Sequence, residues 1–299
     1  MPLIVLGVVT AHRVNLMLHE TYKSQDLTIV VNTCDDYSDV LEVFFHAFQK
    51  WWPDCPYPIV INTESQQYTS LFPARVHVSQ SNDSYDDWGG RLLETLSEIE
   101  SEFVLMVYDD FILEENVDTN QIHKALLLLK AQEHNAVTYL INTSLPLMSN
   151  DDKSLFVPIE DGVECRLNSA PGIWRRRVLM SYTSPGDNPW AWEVFGTYKT
   201  WGDGLSYYSI NPGQSDIFPY NYSKGGAIYR GKWVQEVVEQ AMINYQLNID
   251  WSKRGFSSDK THEKRSFMWR IRFMQTGWKM VGFKAFNFLV AYARARRNV

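Results

Sequence analysis

Cysteine is scarce in this sequence. The three present, Cys34, Cys55 and Cys165, are odd in number and widely spaced. There is no CxxC pair and no Cys/His ligand spacing, which argues against a disulfide framework and a structural zinc, and for free thiols in a reducing compartment. The seven His are scattered and form no paired metal motif. No apolar run reaches the roughly 18 residues of a transmembrane helix. The N-terminal PLIVLGVVTA is too short to span, lacks preceding basic residues, and reads as a strand rather than a signal peptide. A P-loop, a dinucleotide fingerprint, an internal repeat and a flexible linker are all missing.

What is present is an apolar, aromatic chain. Of 299 residues 45% are hydrophobic and 14% aromatic, with eleven Trp, so a folded globular protein with a sizeable core is expected. The aromatic excess suits either a carbohydrate- or base-stacking surface or an aromatic-rich core. The net charge of −7 hides an asymmetry. Residues 251–299 carry twelve Lys/Arg against Asp259 and Glu263, a local charge of +10 that leaves −17 for the first 250 residues. A basic tail on an acidic body usually meets a negatively charged surface.

Along the chain, apolar runs end in polar clusters. DLTIVVNTCDDY (26–37) and YPIVINTES (57–65) read as buried strands, RVHVSQ (75–80) alternates like a third, and FVLMVYDD (103–110) and AVTYLINTS (136–144) follow. Helical spacing fills the gaps: Val40, Leu41, Val43, Phe44, Phe48 and Trp51; then Trp88, Leu92, Leu96 and Ile99 within residues 88–102; then residues 118–133. Alternating strand and helix with short connections predict an open α/β sheet, mostly parallel and covered by helices on both faces. Ligands of such sheets sit beyond the carboxyl ends of the strands. The polar residues there are Thr33, Asp35, Asp36, Asn62, Glu64, Asp109 and Asp110. Beyond residue 150 turn-forming and Trp-rich sequence takes over (NSAPGIW, SPGDNPWAWE, INPGQSD, YNYSKGG), which suits a substrate-facing half. A helix near 232–247 precedes the basic tail.

The most informative stretch is VLMVYDDFIL, Val104 to Leu113. Two adjacent carboxylates at the edge of a buried strand are costly unless they cap a turn or bind something. Together with TIVVNTCDDY, YPIVINTES, the helix W-x-x-R-L-x-x-x-L-x-x-I, G-x-W-R-R and N-P-W-A-W-E, this stretch resembles the GT-A class of nucleotide-sugar-dependent glycosyltransferases. It is most like the bacterial enzymes that build capsule or O-antigen polysaccharide, and the resemblance covers residues 25 to 235.

The resemblance implies a Rossmann-like, GT-A-like catalytic domain over residues 1–250. Residues 25–150 would form the nucleotide-sugar half and 151–250 the acceptor half, with 251–299 a basic amphipathic C-terminal region. It implies that the aspartate motif holds a divalent cation, manganese or magnesium, against the nucleotide diphosphate, since hard carboxylate oxygens suit such ions. Here Tyr108 replaces the first acid of that motif. Asp110 is then the metal-contacting carboxylate and Asp109 the group touching ribose or donor sugar. Thr33, Asp35, Asp36, Glu64 and Arg91 complete the implied donor side; a simple turn accounts equally for the Asp35–Asp36 pair, and solvent exposure for Arg91. In GDNPWAWEVFG (186–196), Glu193 is the implied general base for the acceptor hydroxyl in an inverting transfer, with Asp187 in reserve. The alternatives are a buried acid paired with one of Arg175, Arg176 or Arg177, and a helix-start acid at a favourable dipole position. Trp190, Trp192, Lys224 and Arg230 are implied acceptor contacts, against core packing and a glycine-containing hairpin.

In the tail, Phe267, Ile271, Met274, Trp278, Val281, Ala285, Phe288 and Tyr292 recur at helical spacing among basic residues, with Gly277 and Gly282 as bending points. This composition suits an amphipathic helix in a membrane interface, or a terminal helix docked on the sheet with its basic face in water. The expected partners are therefore a nucleoside-diphosphate sugar, a lipid-linked or oligosaccharide acceptor and the inner face of the cell membrane, with a cytoplasmic location. A nucleic-acid partner is not expected, because the acidic body opposes it. The alternatives are a nucleotidyltransferase on a similar sheet and a non-catalytic glycan-binding protein.

Overall fold

A computed structural model describes residues 26–68, 73–79, 87–148, 153–222, 225–257 and 266–295. The expected N-terminal strand PLIVLGVVTA lies outside them. Eight strands form one sheet: β1 (Leu27–Asn32), β2 (Ile59–Thr63), β3 (Ala74–Val78), β4 (Phe103–Tyr108), β5 (Asn135–Tyr139), β6 (Phe156–Pro158), β7 (Gly172–Arg175) and β8 (Ser206–Ile210), in the order β3-β2-β1-β4-β7-β5-β8-β6. β1 to β4 run parallel to one another, as do β5 and β8, while β7 is antiparallel to both β4 and β5, and β6 is antiparallel to β8. The mostly parallel α/β sheet flanked by helices is the expected architecture.

The parallel strands form because their apolar runs have no polar face to expose. Every residue of β1 is buried, and β2 and β5 are the same. Helices cover them: α1 (Ser38–Trp51), α2 (Trp88–Glu98), α3 (Thr119–Ala131), α4 (Arg176–Tyr182), α5 (Pro189–Gly196) and α6 (Gln235–Asn244). α1 buries Val40, Leu41, Val43, Phe44, Phe45, Ala47 and Phe48, and gives way just before Pro53. α2 opens on Asp87, whose carboxylate accepts from the Gly90 amide at 2.7 Å. It stops at Glu98 rather than continuing to residue 102, because Ile99 takes extended backbone and buries its side chain.

The two expected halves share this one sheet. Residues beyond 150 supply β6, β7 and β8, and β7 is inserted between β4 and β5. Because β7 runs against its neighbours, the residues leading into it lie at the carboxyl ends of β4 and β5. A small hairpin, β9 (Ile228–Tyr229) and β10 (Lys232–Trp233), turns through Arg230 and Gly231, both with positive φ (53° and 78°), as a two-residue primed turn requires.

The C-terminal segment is two helices, α7 (Phe267–Val281) and α8 (Phe286–Ala295), joined where Gly282 takes a left-handed φ of 57°. It docks on α5 rather than on the sheet. Phe273 and Ala285 are buried with Phe195 and Tyr198. Gly277 allows this contact, since a Cβ there would overlap the Phe195 ring. The other face of the pair stays in water, with Phe267 75% and Phe283 80% exposed, and Met268, Trp278 and Phe286 also exposed.

Candidate active site

The carboxyl ends of β1, β2, β4 and β5 open on one cleft of about 1020 Å³. Its floor is tied together strand by strand. The Asn32 side chain donates to the Val107 carbonyl, Asn62 donates to Asn32 at 2.9 Å, and Thr95 donates to Asn62. These bonds satisfy amides that would otherwise be buried unpaired at the strand ends. The first acid of β2's polar ending, Glu64, accepts from the Asp35 amide at 2.9 Å and pairs with Arg91 at 3.3 Å, both side chains being 5% exposed. Arg91 is therefore a buried wall of the cleft, held by Glu64.

Asp109 and Asp110 stand at the centre of this rim. The Thr33 hydroxyl donates to Asp109 Oδ2 at 2.5 Å, and the Asp109 amide donates to the Asn32 carbonyl. Burial, and then the charge of Asp110, hold the Asp109 carboxyl well above the usual carboxylate range. Burial pushes Asp110 up to about 7, opposed by bonds from its own amide and that of Ile228. The Ala227 amide donates to the Asp110 carbonyl at 2.8 Å. Gly226 closes over the carboxylate so tightly that a Cβ would stand 2.6 Å from Asp110 Oδ2. Asp110 is thus clamped from the far side by the segment leading into β9, and its raised pKa marks a site that favours a positive partner.

Glu193, on α5, lines the same cleft. Burial raises its carboxyl, while the Ser169 hydroxyl, donating at 2.8 Å to Oε2, and the Ser169 amide counter this. None of the three arginines weighed as its partner reaches it. Arg175 pairs with Glu102, Arg176 donates to the Ser101 and Leu96 carbonyls, and Arg177 pairs with Glu133. The cleft also has an aromatic wall in which Phe111 stacks on Tyr220 at 4.4 Å and meets Tyr108 edge-on at 5.5 Å.

Not all of the expected site residues face the cleft. Asp35 is absent from the cleft lining; its carboxylate accepts from the amides of Ser65 and Gln66 and from the Ser65 hydroxyl, which holds the turn after β2. Asp36 lines the cleft. Asp187 is 2% exposed and accepts from the Ser184 amide at 2.9 Å, a loop-closing role outside the cleft lining. The acceptor contacts expected of the two Trp need correction. Trp192 is fully buried between Trp88 and Trp174, with no face left for a ligand, and Trp190 stacks on Phe273 at 3.9 Å and on Trp269, carrying α7 instead of lining the cleft. Arg230 lines the cleft from the hairpin turn. Lys224 lies outside the described residues.

Sequence reasoning missed several residues here. Asn142, Thr143, Ser144, Asn168 and Ser169 give the cleft a neutral, hydroxyl- and amide-rich side. The first three end β5's apolar run as polar endings do elsewhere, so the signal was there; the last two carried none. Arg254, in the basic tail, donates to both Asp39 oxygens and to the Asp36 carbonyl and lies 4.5 Å over the Tyr37 ring, pinning the 3₁₀ turn Asp35–Tyr37 that borders the cleft.

Among the described residues no group of three or more His, Cys, Asp or Glu is arranged to hold a metal ion by itself. Asp110 supplies one hard carboxylate with a raised pKa facing the cleft. That suits a magnesium-like ion carried in on a diphosphate, which needs one or two protein carboxylates besides phosphate oxygens. The three cysteines are free thiols, and burial raises each to about 12. No helix among the described residues is long and apolar enough to cross a membrane.

No protein-family model and no curated protein matches this chain. Several solved structures do. Residues 1–349 of S. aureus TarS are 15% identical, with 64% of this chain and 59% of that one covered and a TM-score of 0.43. A longer S. aureus TarS structure is 13% identical, covering 90% of this chain and 53% of that one at a TM-score of 0.44. This chain thus spans little more than half the length of the TarS structures. A nucleotidyl transferase from Methanothermobacter is 11% identical over 62% of this chain and 88% of its own, with a TM-score of 0.37. A protein described as a nucleotide-diphospho-sugar transferase, from Desulfovibrio desulfuricans, is 9% identical over 62% and 80%, with a TM-score of 0.35.

Proposed function

We propose that this chain is a glycosyltransferase that moves a sugar from a nucleoside-diphosphate sugar to a glycan acceptor, with inversion by single displacement. The observation that carries the reading is that Asp110 and Glu193, two carboxylates with raised pKa, face one cleft at the carboxyl ends of a mostly parallel sheet. In the reaction, Glu193 takes the proton of an acceptor hydroxyl as that oxygen bonds to the anomeric carbon, and the bond from that carbon to the diphosphate oxygen breaks with its electron pair leaving on the diphosphate. Burial makes Glu193 more basic than an exposed carboxylate, and Ser169 aims it. Asp110 would hold a divalent cation, manganese or magnesium, which would neutralise the charge gathering on the diphosphate. Thr33 keeps Asp109 in place behind it, and Arg91 and Asp36 face the nucleotide side.

The neutral hydroxyl and amide groups of Asn142, Thr143, Ser144, Asn168 and Ser169 suit a polyhydroxyl acceptor. The finer reading is a lipid-linked glycan, as in capsule or O-antigen synthesis, taken up at the cytoplasmic face of the membrane. What supports it is the outer face of α7 and α8. Residues 266–295 contain five Lys/Arg and no acid, and Phe267, Trp278, Phe283 and Phe286 are exposed beside them. Such a face gains apolar burial and headgroup attraction together. Thr276 of α7 also lines the cleft, so the helix that would lie on the membrane borders the site.

A thermal-shift panel of nucleoside diphosphates with manganese tests the donor site. Stabilisation by at least one of them is expected. Stabilisation by nucleoside triphosphates alone would favour a nucleotidyltransferase, and by glycans alone a binding module.

A further inference from the structure

Resting on that reading, we infer that the Tyr108 hydroxyl is the hydrogen-bond donor that recognises the transferred sugar, assisted from the cleft wall by the Trp88 indole N–H. Tyr108 occupies the position where an acid was expected, and it is not a simple substitute for one. Its Oη is buried and has no hydrogen-bond partner. Trp88, 6% exposed, has an equally unpartnered Nε1. Unpartnered indole N–H groups also occur on Trp174, Trp192 and Trp233, but those residues do not line the cleft; Tyr108 and Trp88 both do. A buried donor left unpaired is unfavourable, and a phenylalanine at position 108 would make the same ring contact with Phe111 without that cost. The hydroxyl is therefore placed for something that enters the cleft.

What it meets follows from its neighbours. Tyr108 lies close enough to feel the charges of both Glu193 and Asp110. Between the carboxylate that faces the leaving diphosphate and the carboxylate that activates the acceptor lies the group being transferred. A neutral sugar there offers hydroxyl and ring oxygens to a phenol donor. A site built to donate to a particular oxygen discriminates against a ligand that cannot supply it. Tyr108 and Trp88 would thus set which sugar is accepted, while the nucleotide is held by other groups.

The test is calorimetric, on the full chain. The uridine, guanosine, cytidine and thymidine diphosphates and their glucose, galactose and N-acetylglucosamine conjugates are titrated into the wild type, Tyr108→Phe and Trp88→Phe. The expected result is that the tightest sugar conjugate binds Tyr108→Phe roughly threefold to tenfold more weakly, while the parent diphosphate binds within about twofold of wild type. The preference among the three sugars should also narrow. Trp88→Phe should behave alike; if it fails to fold, Tyr108→Phe, which keeps the ring, decides. Equal loss for diphosphate and conjugate, or no loss for either, would overturn the assignment while leaving the donor site intact. Failure of every nucleotide and conjugate to bind the wild type would remove the donor site itself, and this inference with it.

Discussion

Gly226 packs against Asp110: a Cβ on Gly226 would stand 2.6 Å from Asp110 Oδ2 and 2.9 Å from its carbonyl oxygen. Gly226 has a φ of 146°, which side-chain-bearing residues rarely adopt. Gly226→Ala should therefore displace Asp110 or open the clamp. We expect transfer to fall at least about tenfold, with a stability loss of about 1–3 kcal/mol, read from turnover and from urea denaturation. Unchanged turnover would mean that the clamp does not position Asp110.

Asp110 itself links stability to pH. Its folded pKa of about 7 lies above the ordinary value of 3.8, so between those values the folded state binds the extra proton. Stability then falls as pH rises through this window and levels off above about 7. Asp110→Asn should abolish transfer, yet in chelator-treated protein it should be more stable than wild type at about pH 8, by roughly 1–3 kcal/mol, with the difference shrinking toward about pH 4. Melting curves across that range check this.

Glu193→Gln should lose turnover by at least about a hundredfold and keep nucleotide binding. The wild-type rate should rise with pH through a Glu193 pKa raised above the ordinary 4.5, because the base works only when ionised. Removing the Ser169 hydroxyl bond takes away a contact that lowers this pKa. Ser169→Ala should thus move the acidic limb of the rate profile to higher pH. A limb that stays put would place the base elsewhere.

Arg254→Lys tests the clamp on the Asp35–Tyr37 turn that borders the cleft. Lysine keeps the charge but cannot reproduce the forked bonds to Asp39 and Asp36 or the stacking over Tyr37. We expect a loss of about 1–3 kcal/mol in stability and weaker nucleotide binding.

Vesicle co-sedimentation checks the outer face of α7 and α8. The wild type should bind phosphatidylglycerol vesicles in low salt, bind phosphatidylcholine poorly, and be released by salt. A triple variant in which the exposed Trp278, Phe283 and Phe286 are each changed to Ser should lose binding with little change in melting temperature. Retained binding would point to another surface.

The sequence alone determined β1 to β5 and their direction of use, while β6, β7 and β8 lie in sequence that reads as turns. Continuous apolar runs such as LTIVVN and FVLMVY can only be buried, and their polar endings mark one rim, so Thr33, Glu64, Asp109 and Asp110 were legible as neighbours before any coordinates. The structure decided which of them face the cleft. Asp35 and Asp187 are polar and near the rim, but their carboxylates are taken up by backbone amides. Trp190 and Trp192 are two residues apart on one short helix, and one fills the core while the other carries α7. Ser169 reaches Glu193 across 24 residues because β7 is inserted in reverse between β4 and β5, and Arg254 reaches Asp39 across 215. Periodicity records how a residue is buried relative to its own helix or strand. The partner of a polar group depends on the order in which elements pack, and that order is settled by long-range burial that no local pattern encodes.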